Sequence, residues 1–149
     1  MRLAIGCDIA GLPLKQVVYD HLLGRGIETV DFGVLPDQDI DYPDIGHAVA
    51  GQVAAGNFDR AILICGTGIG MAIVANKVPG IRAAVCHDPY SAERARKSND
   101  AQVMALGARV VGPELAKTLT DIWLASEFEG GRSAPKVARI NELDLERCR

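Results

Sequence analysis

The sequence lacks the patterns that mark several large classes of protein. No apolar run is long enough for a transmembrane helix, and Asp8 interrupts the apolar opening segment, which is too short for a signal peptide. The four cysteines form no C-x-x-C pair, and no two of the three histidines have the spacing of metal ligands. We therefore expect a cytoplasmic protein with reduced thiols, without a bound metal and without a membrane partner.

An excess of charge of one sign is also absent. The 16 lysines and arginines nearly balance the 19 aspartates and glutamates, and the net charge of −3 indicates no basic surface for nucleic acid. The composition, 48% hydrophobic and 23% charged, is that of an ordinary globular protein. We expect one domain, residues 1–149, that buries a substantial core without disulfides or metals.

Short apolar segments alternate with segments of helical periodicity along the whole chain. Strands are predicted at 3–7, 27–32, 61–64, 81–86 and 103–106, and helices at 13–23, 43–55, 72–77, 91–97, 113–126 and 133–148. A turn with a short extended piece is predicted at 107–112. This alternation predicts βαβ units and a single-domain, three-layer α/β/α fold with a five-stranded, mostly parallel sheet and a C-terminal helix.

Three polar side chains directly follow predicted strands. Asp8 follows the first strand, Cys65 the third and His87 the fourth. In parallel sheets the ligand binds beyond the carboxyl ends of the strands. We therefore expect all three residues to lie at one edge of the sheet, close to the ligand.

The third strand leads into a cysteine and three alternating glycines, Gly66, Gly68 and Gly70. A strand, a glycine turn and a helix start bring free backbone N–H groups together and form a site for an anion. The spacing is neither G-x-G-x-x-G nor a G-K-[ST] loop, so a small oxyanion fits better than a nucleotide. A thiol at a helix N-terminus ionises readily, and Cys65 is therefore the candidate base or nucleophile.

The remaining candidate groups have an ordinary structural interpretation beside any functional one. Arg132 and Lys136 lie four residues apart at a helix start and face the same way, so with Arg109 they are candidate phosphate ligands, although solvated surface is the usual role of such cations. The other cysteines, two histidines and an aspartate-rich loop are expected to be structural or solvated: Cys7, Cys86, Cys148, His21, His47, Asp37, Asp39 and Asp41.

Segments spread over nearly the whole chain resemble one family, the ribose-5-phosphate isomerase B and galactose-6-phosphate isomerase family. The segments include Gly6-Cys7-Asp8, Asp41-Tyr42-Pro43, residues 64–70, Ala75-Asn76-Lys77, residues 79–82, Asn99-Asp100, residues 107–112 and residues 129–132. The resemblance implies a flavodoxin-like parallel sheet, no cofactor and a small phosphorylated sugar as substrate. It also implies a homodimer or tetramer with active sites at the subunit interface, where the C-terminal helix at about 133–148 reaches the partner subunit.

The resemblance also implies roles for individual residues in an aldose–ketose isomerisation through an enediol. Cys65 is the base that moves a proton between carbons 1 and 2, and Thr67 assists proton transfer between oxygens. Backbone N–H groups of residues 66–70 stabilise the enediolate. Further substrate contacts are implied for Asp8, Ile9, Tyr42, Gly66, Gly68, Ile69, Gly70, Ser98 and Asn99, and phosphate contacts for Arg109, Arg132 and Lys136, some of them from the neighbouring subunit.

Two departures from the family bear on the substrate. Many members have histidine where this chain has Ile9 and Ser98, and the second of these histidines is the family's usual candidate for opening the furanose ring. A histidine common in the family is replaced by Ser133, and a common arginine by Lys136. A tetrose 4-phosphate forms no furanose ring, because its oxygen on carbon 4 is esterified.

The sequence therefore favours D-erythrulose 4-phosphate and D-erythrose 4-phosphate as the substrate pair. The alternative pair is D-ribose 5-phosphate and D-ribulose 5-phosphate, and a second alternative is a non-catalytic, sugar-phosphate-binding partner subunit.

Overall fold

A computed structural model, described here for residues 1–147, shows a parallel sheet between two layers of helices. The strands are β1 (Arg2–Cys7), β2 (Glu28–Asp31), β3 (Arg60–Cys65), β4 (Ala83–Val85) and β5 (Val103–Gly107). The helices are α1 (Leu12–Gly24), α2 (Tyr42–Ala54), α3 (Ile69–Ala75), α4 (Pro89–Lys97), α5 (Pro113–Ala125) and α6 (Ala134–Arg147), with 3₁₀ turns at Ile9–Gly11 and Gly131–Ser133. No helix in residues 1–147 is long and apolar enough to span a membrane.

The strand order is β2-β1-β3-β5-β4, and all neighbouring strands are parallel. Helices α2 and α3 pack together, while α5 packs against both α1 and α4. The predicted three-layer α/β fold with five parallel strands is confirmed. Compared with the flavodoxin order 2-1-3-4-5, the last two strands exchange places.

The sheet register determines which residues meet at the carboxyl edge. Every residue of β3 is buried, because this central strand has a neighbour on each side and helices on both faces. Cys7 is aligned with Ile64, and Cys65 with Gly107. The residues that follow β1, β3 and β5 therefore emerge side by side, which confirms that Asp8 and Cys65 share one edge.

Two local predictions at this edge are wrong. Helix α3 begins at Ile69 rather than at residue 72, because Gly68 in the left-handed conformation (φ 77°) ends the turn early. Gly70 therefore lies inside the first turn of the helix. The extended piece predicted after β5 is a turn instead, in which the N–H groups of Val110 and Val111 both donate to the Gly107 carbonyl at 3.0 Å.

Helix α1 carries a buried lysine, Lys15, which is only 1% exposed. Its ammonium donates to the Asp31 carboxylate at 2.7 Å and to the Val34 carbonyl at 3.3 Å. A buried ammonium needs such partners to offset the loss of its hydration. Lys15 therefore ties α1 to the segment that follows β2. The predicted helix end at Cys148 lies outside the described residues.

Candidate active site

Cys65 is the last residue of β3, and its side chain is 5% exposed. Its Sγ accepts a hydrogen bond from the Gly68 N–H at 3.1 Å. A backbone N–H aimed at sulfur interacts more strongly with a thiolate than with a thiol, because the thiolate carries a full negative charge. The turn therefore fixes the sulfur in place and gives it a backbone hydrogen-bond donor.

A side chain at Gly68 would collide with backbone, and one at Gly70 would displace the Tyr42 ring. A Cβ on Gly68 would lie 2.9 Å from the carbonyl carbon of Leu106, and one on Gly70 would lie 2.6 Å from the Tyr42 ring. The aromatic ring of Tyr42 is therefore seated on the backbone of α3. Thr67 is exposed at the tip of the turn, where its Oγ1 accepts the Ile69 N–H at 3.2 Å.

The turn after β5 is bonded directly to the turn after β3. The Ala108 N–H donates to the Cys65 carbonyl at 2.8 Å, and the Arg109 N–H donates to the Gly66 carbonyl at 3.0 Å. These bonds bring the Arg109 guanidinium against Gly66, where Nη1 would lie 3.2 Å from an added Cβ. A cation is thereby held beside the backbone that follows the cysteine.

Asp8 reaches the same place from β1. Its N–H donates to the Ile64 carbonyl at 3.3 Å, and its Oδ1 accepts the Gly11 N–H at 3.0 Å. Gly11 is required here, because a Cβ would lie 2.5 Å from the Ile64 carbonyl oxygen. One carboxylate oxygen is thus used by the fold, while the second remains available to a ligand.

These elements enclose a cleft of about 500 Å³. Eight predicted site residues line it: Asp8, Tyr42, Cys65, Gly66, Thr67, Ile69, Gly70 and Arg109. Two further predicted residues do not line the cleft. Gly68 is buried within the turn, and Ile9, which follows Asp8, is half-exposed outside the cleft. The sequence reasoning missed Ala10 and Ile73, although the four-residue spacing of Ile73 from Ile69 was a usable signal.

Four other predicted site residues lie at the amino edge of the sheet, where the strands begin: Ser98, Asn99, Arg132 and Lys136. Helix α4 starts beyond the carboxyl end of β4, so its C-cap residue Ser98 lies near the amino end of β5. Asn99 precedes Val103, the first residue of β5, whereas Cys65 is paired with Gly107, the last. Four strand rises separate the two ends, which places Asn99 roughly 13 Å or more from Cys65 along the sheet.

The segment that carries Arg132 and Lys136 is anchored at that same amino edge. Just before it, the Glu129 N–H donates to the Lys97 carbonyl at 3.2 Å. Further along α6, Asp144 accepts the Gly80 N–H at 2.6 Å and Asn141 accepts from the Arg82 guanidinium at 2.7 Å. These anchors belong to the segments that enter β5 and β4. Arg132 and Lys136 lie exposed between them.

The other two described cysteines have environments that keep the thiol protonated. Burial raises the pKa of Cys7 to about 11, although Lys15 lowers it in part. Burial also raises the pKa of Cys86 to about 12. A thiol with such a pKa is a poor base at neutral pH, which fits a structural role for both residues.

The fold and the site together define an α/β protein with a buried cysteine in a glycine turn, and comparison with known proteins identifies its class as sugar-phosphate isomerase. The Ribose/Galactose Isomerase family profile matches residues 3–140. The chain belongs to this family.

Named relatives and solved structures agree with that assignment. A ribose-5-P isomerase B of Listeria innocua is 56% identical over 97% of both chains. A D-erythrulose-4-phosphate isomerase of Pectobacterium atrosepticum is 55% identical and covers 94% of this chain and 93% of its own. A solved ribose-5-phosphate isomerase B from Clostridium thermocellum has a TM-score of 0.96 and 50% identity over 99% of both chains. The expectation of an aldose–ketose isomerase is confirmed.

Proposed function

We propose that this isomerase interconverts D-erythrulose 4-phosphate and D-erythrose 4-phosphate, with Cys65 as the base that moves the proton between carbons 1 and 2. The observation that carries the chemistry is the buried sulfur held by the Gly68 N–H at 3.1 Å at the mouth of the cleft. Removing a proton next to a carbonyl leaves negative charge on the carbonyl oxygen, which becomes the enediolate oxygen.

The turn provides donors for that oxygen. Within residues 1–147, the N–H groups of Thr67 and Gly70 donate to no other protein group. They are fixed by the backbone before substrate arrives, so little reorganisation is needed when the charge develops. The Thr67 hydroxyl is exposed beside them and is placed to pass a proton between the two oxygens of the enediol.

Relatives named for a tetrose and for a pentose phosphate are equally similar to this chain, so the substrate preference depends on Ile9 and Ser98, where many family members have histidine. Opening a furanose ring needs a group that exchanges protons near neutral pH. The Ser98 hydroxyl is not such a group, and its Oγ already accepts from the Arg94 guanidinium at 3.3 Å. A tetrose 4-phosphate has no furanose ring to open.

A complete site in this proposal takes residues from two copies of the chain. The cleft holds the groups for proton transfer, while Ser98, Asn99, Arg132 and Lys136 lie at the far edge of the same sheet. A symmetric dimer that places the far edge of one copy over the cleft of the other brings the two halves together. Arg132 and Lys136 from α6 of one copy and Arg109 of the other then bind the phosphate.

A direct comparison of the two sugar phosphates tests the substrate. We expect kcat/KM for D-erythrulose 4-phosphate to exceed that for D-ribose 5-phosphate by about tenfold or more, because a site without a ring-opening group acts slowly on the cyclic pentose. Both reactions are followed with the purified protein at one pH and one ionic strength. A higher kcat/KM for the pentose phosphate would contradict the tetrose assignment.

Substituting Ser98 by histidine tests the reason given for that preference. We expect Ser98→His to raise kcat/KM for ribose 5-phosphate by about tenfold, since general acid–base groups contribute at least that much. The matched control is Ser98→Asn, which adds a polar side chain that does not titrate and is expected to leave pentose activity at the parent level. Equal pentose activity in both variants would refute the ring-opening argument.

A further inference from the structure

His87 lies outside the cleft and is not used by the proposed chemistry, yet it contacts the backbone that supports the catalytic turn. It follows β4 by two residues and is partly buried. Its Nε2 accepts a hydrogen bond from the Gly107 N–H at 2.9 Å. Gly107 is the last residue of β5 and is aligned with Cys65.

The imidazole takes the place of a backbone carbonyl in the sheet ladder. Before this point β4 and β5 are joined by ordinary bonds, from the Val103 N–H to the Arg82 carbonyl and from the Cys86 N–H to the Ala105 carbonyl. Alternate residues of β5 face β4, and the one after Ala105 is Gly107. Strand β4 has already ended at that level, so it offers no carbonyl to the Gly107 N–H. A side-chain acceptor therefore extends the ladder by one bond.

Gly107 links that bond to both catalytic turns. A Cβ on this residue would lie 2.7 Å from the carbonyl carbon of Thr67, so the two backbones are in direct contact. Its carbonyl accepts the N–H groups of Val110 and Val111 at 3.0 Å and so closes the turn that carries Arg109. A displacement of Gly107 is transmitted to the tip of the oxyanion turn and to the cation beside it.

We propose that His87 is a positioning residue of this isomerase, whose neutral imidazole holds Gly107 and through it the Thr67 turn and Arg109, and which releases them when it is protonated. The proposal rests on the proposed role of the Cys65 turn in proton transfer. Nε2 serves as acceptor only while it carries no proton, so the ring proton of the working form is on Nδ1. When Nε2 is protonated, its N–H faces the N–H of Gly107, and the hydrogen bond between them is lost because neither group can accept.

The surroundings of His87 favour its neutral form. Burial lowers the pKa of His87 below the ordinary histidine value, and the Asp88 carboxylate opposes this shift. The group that faces it from β5 is the uncharged backbone N–H of Gly107, and the guanidinium of Arg109 is placed against Gly66. The bond to Gly107 is therefore present at neutral pH and is lost as the pH falls through that lowered pKa.

Two substitutions separate positioning from simple packing. His87→Ala removes the acceptor, and we expect kcat to fall on the order of tenfold to a hundredfold with KM changed little, because small displacements of catalytic groups have effects of this size. His87→Gln retains an acceptor that does not titrate, and we expect its kcat at pH 7 to stay within about threefold of the parent. The matched control is His47→Gln, at an exposed histidine on α2.

The pH dependence is the readout that a packing role would not change. The ratio of kcat/KM for the parent to that for His87→Gln cancels every titration that both proteins share, including that of the substrate phosphate. We expect this ratio to be constant above the pKa of His87 and to fall below it by about tenfold to a hundredfold in all, the loss expected for His87→Ala. The ratio of the parent to His47→Gln is expected to stay constant over the same range.

A titration followed by nuclear magnetic resonance tests the same bond in the unmodified protein, so it does not depend on whether a variant folds. The amide signal of Gly107 in a nuclear magnetic resonance titration is expected to shift with the same midpoint as the His87 ring. An unshifted Gly107 amide, or an His87→Ala variant with the parent's kcat and pH profile, overturns the proposal. Isomerase activity retained by a Cys65 variant would refute the role of Cys65, whereas the Gly107 titration would be unaffected.

Discussion

Replacing Cys65 with alanine is expected to lower kcat by about 10³-fold while the protein remains folded. The change removes the proton acceptor and leaves the N–H of Gly68 without its 3.1 Å partner. General base groups contribute roughly 10²- to 10⁴-fold, and the remaining carboxylate in the cleft, Asp8, has one oxygen held by the Gly11 N–H. The measurement is the steady-state rate on both sugar phosphates, with folding checked by circular dichroism.

The matched control for this prediction is Cys7→Ala. Cys7 is also a buried cysteine at the end of a central strand, but burial raises its pKa to about 11. Its loss is expected to cost about 1 kcal/mol of stability through the small cavity it leaves, with kcat nearly unchanged. Parent-like turnover in Cys65→Ala would show that another group abstracts the proton.

Mixing two inactive variants is expected to restore activity to about a quarter of the parent value. Cys65→Ala lacks the proposed base, and Arg132→Ala lacks a proposed phosphate ligand at the opposite edge of the sheet. In a mixed dimer, one site combines both defects and the other combines the intact Cys65 of one copy with the intact Arg132 of the other. Random pairing makes half of the dimers mixed, each with one intact site of two, which gives about one quarter.

The complementation is measured after the two variants are unfolded together and refolded, so that subunits exchange. Each variant refolded alone is the control and is expected to stay inactive. A mixture of Cys65→Ala with Thr67→Ala is a second control, because both residues lie in the same cleft and their mixed dimer has no intact site. No recovery in the first mixture would show that each copy of the chain works with its own residues.

The part of the site that follows β3 was predictable because local sequence determines it. An apolar strand, a cysteine and alternating glycines specify a buried element, a tight turn and a helix start within ten residues. The position of Asp8 on the same edge followed from the parallel sheet. The exact start of α3 did not follow, because it depends on the contact between Gly68 and Leu106, which are distant in sequence.

The place of Ser98 and Asn99 relative to the cleft was only partly predictable. A parallel sheet puts these residues, which precede β5, at its amino edge, but nothing in the sequence shows that β5 inserts between β3 and β4. The burial of Lys15 was missed for a similar reason. Its partner Asp31 lies on another strand, and a lysine in an amphipathic helix ordinarily faces solvent.

The backbone contact between Gly107 and Thr67 limits where mutations can alter the substrate specificity of this enzyme. Backbone atoms of β5 and of the turn after β3 touch there without any side chain between them, so the backbone around Cys65 accepts few mutations. Ser98 and Ser133 at the far edge are only partly buried and carry no such restriction, and changes at such positions cost little stability. Libraries varied at 98 and 133, with Arg132 and Lys136 kept for the phosphate, would therefore search new sugar phosphates while the catalytic step stays intact.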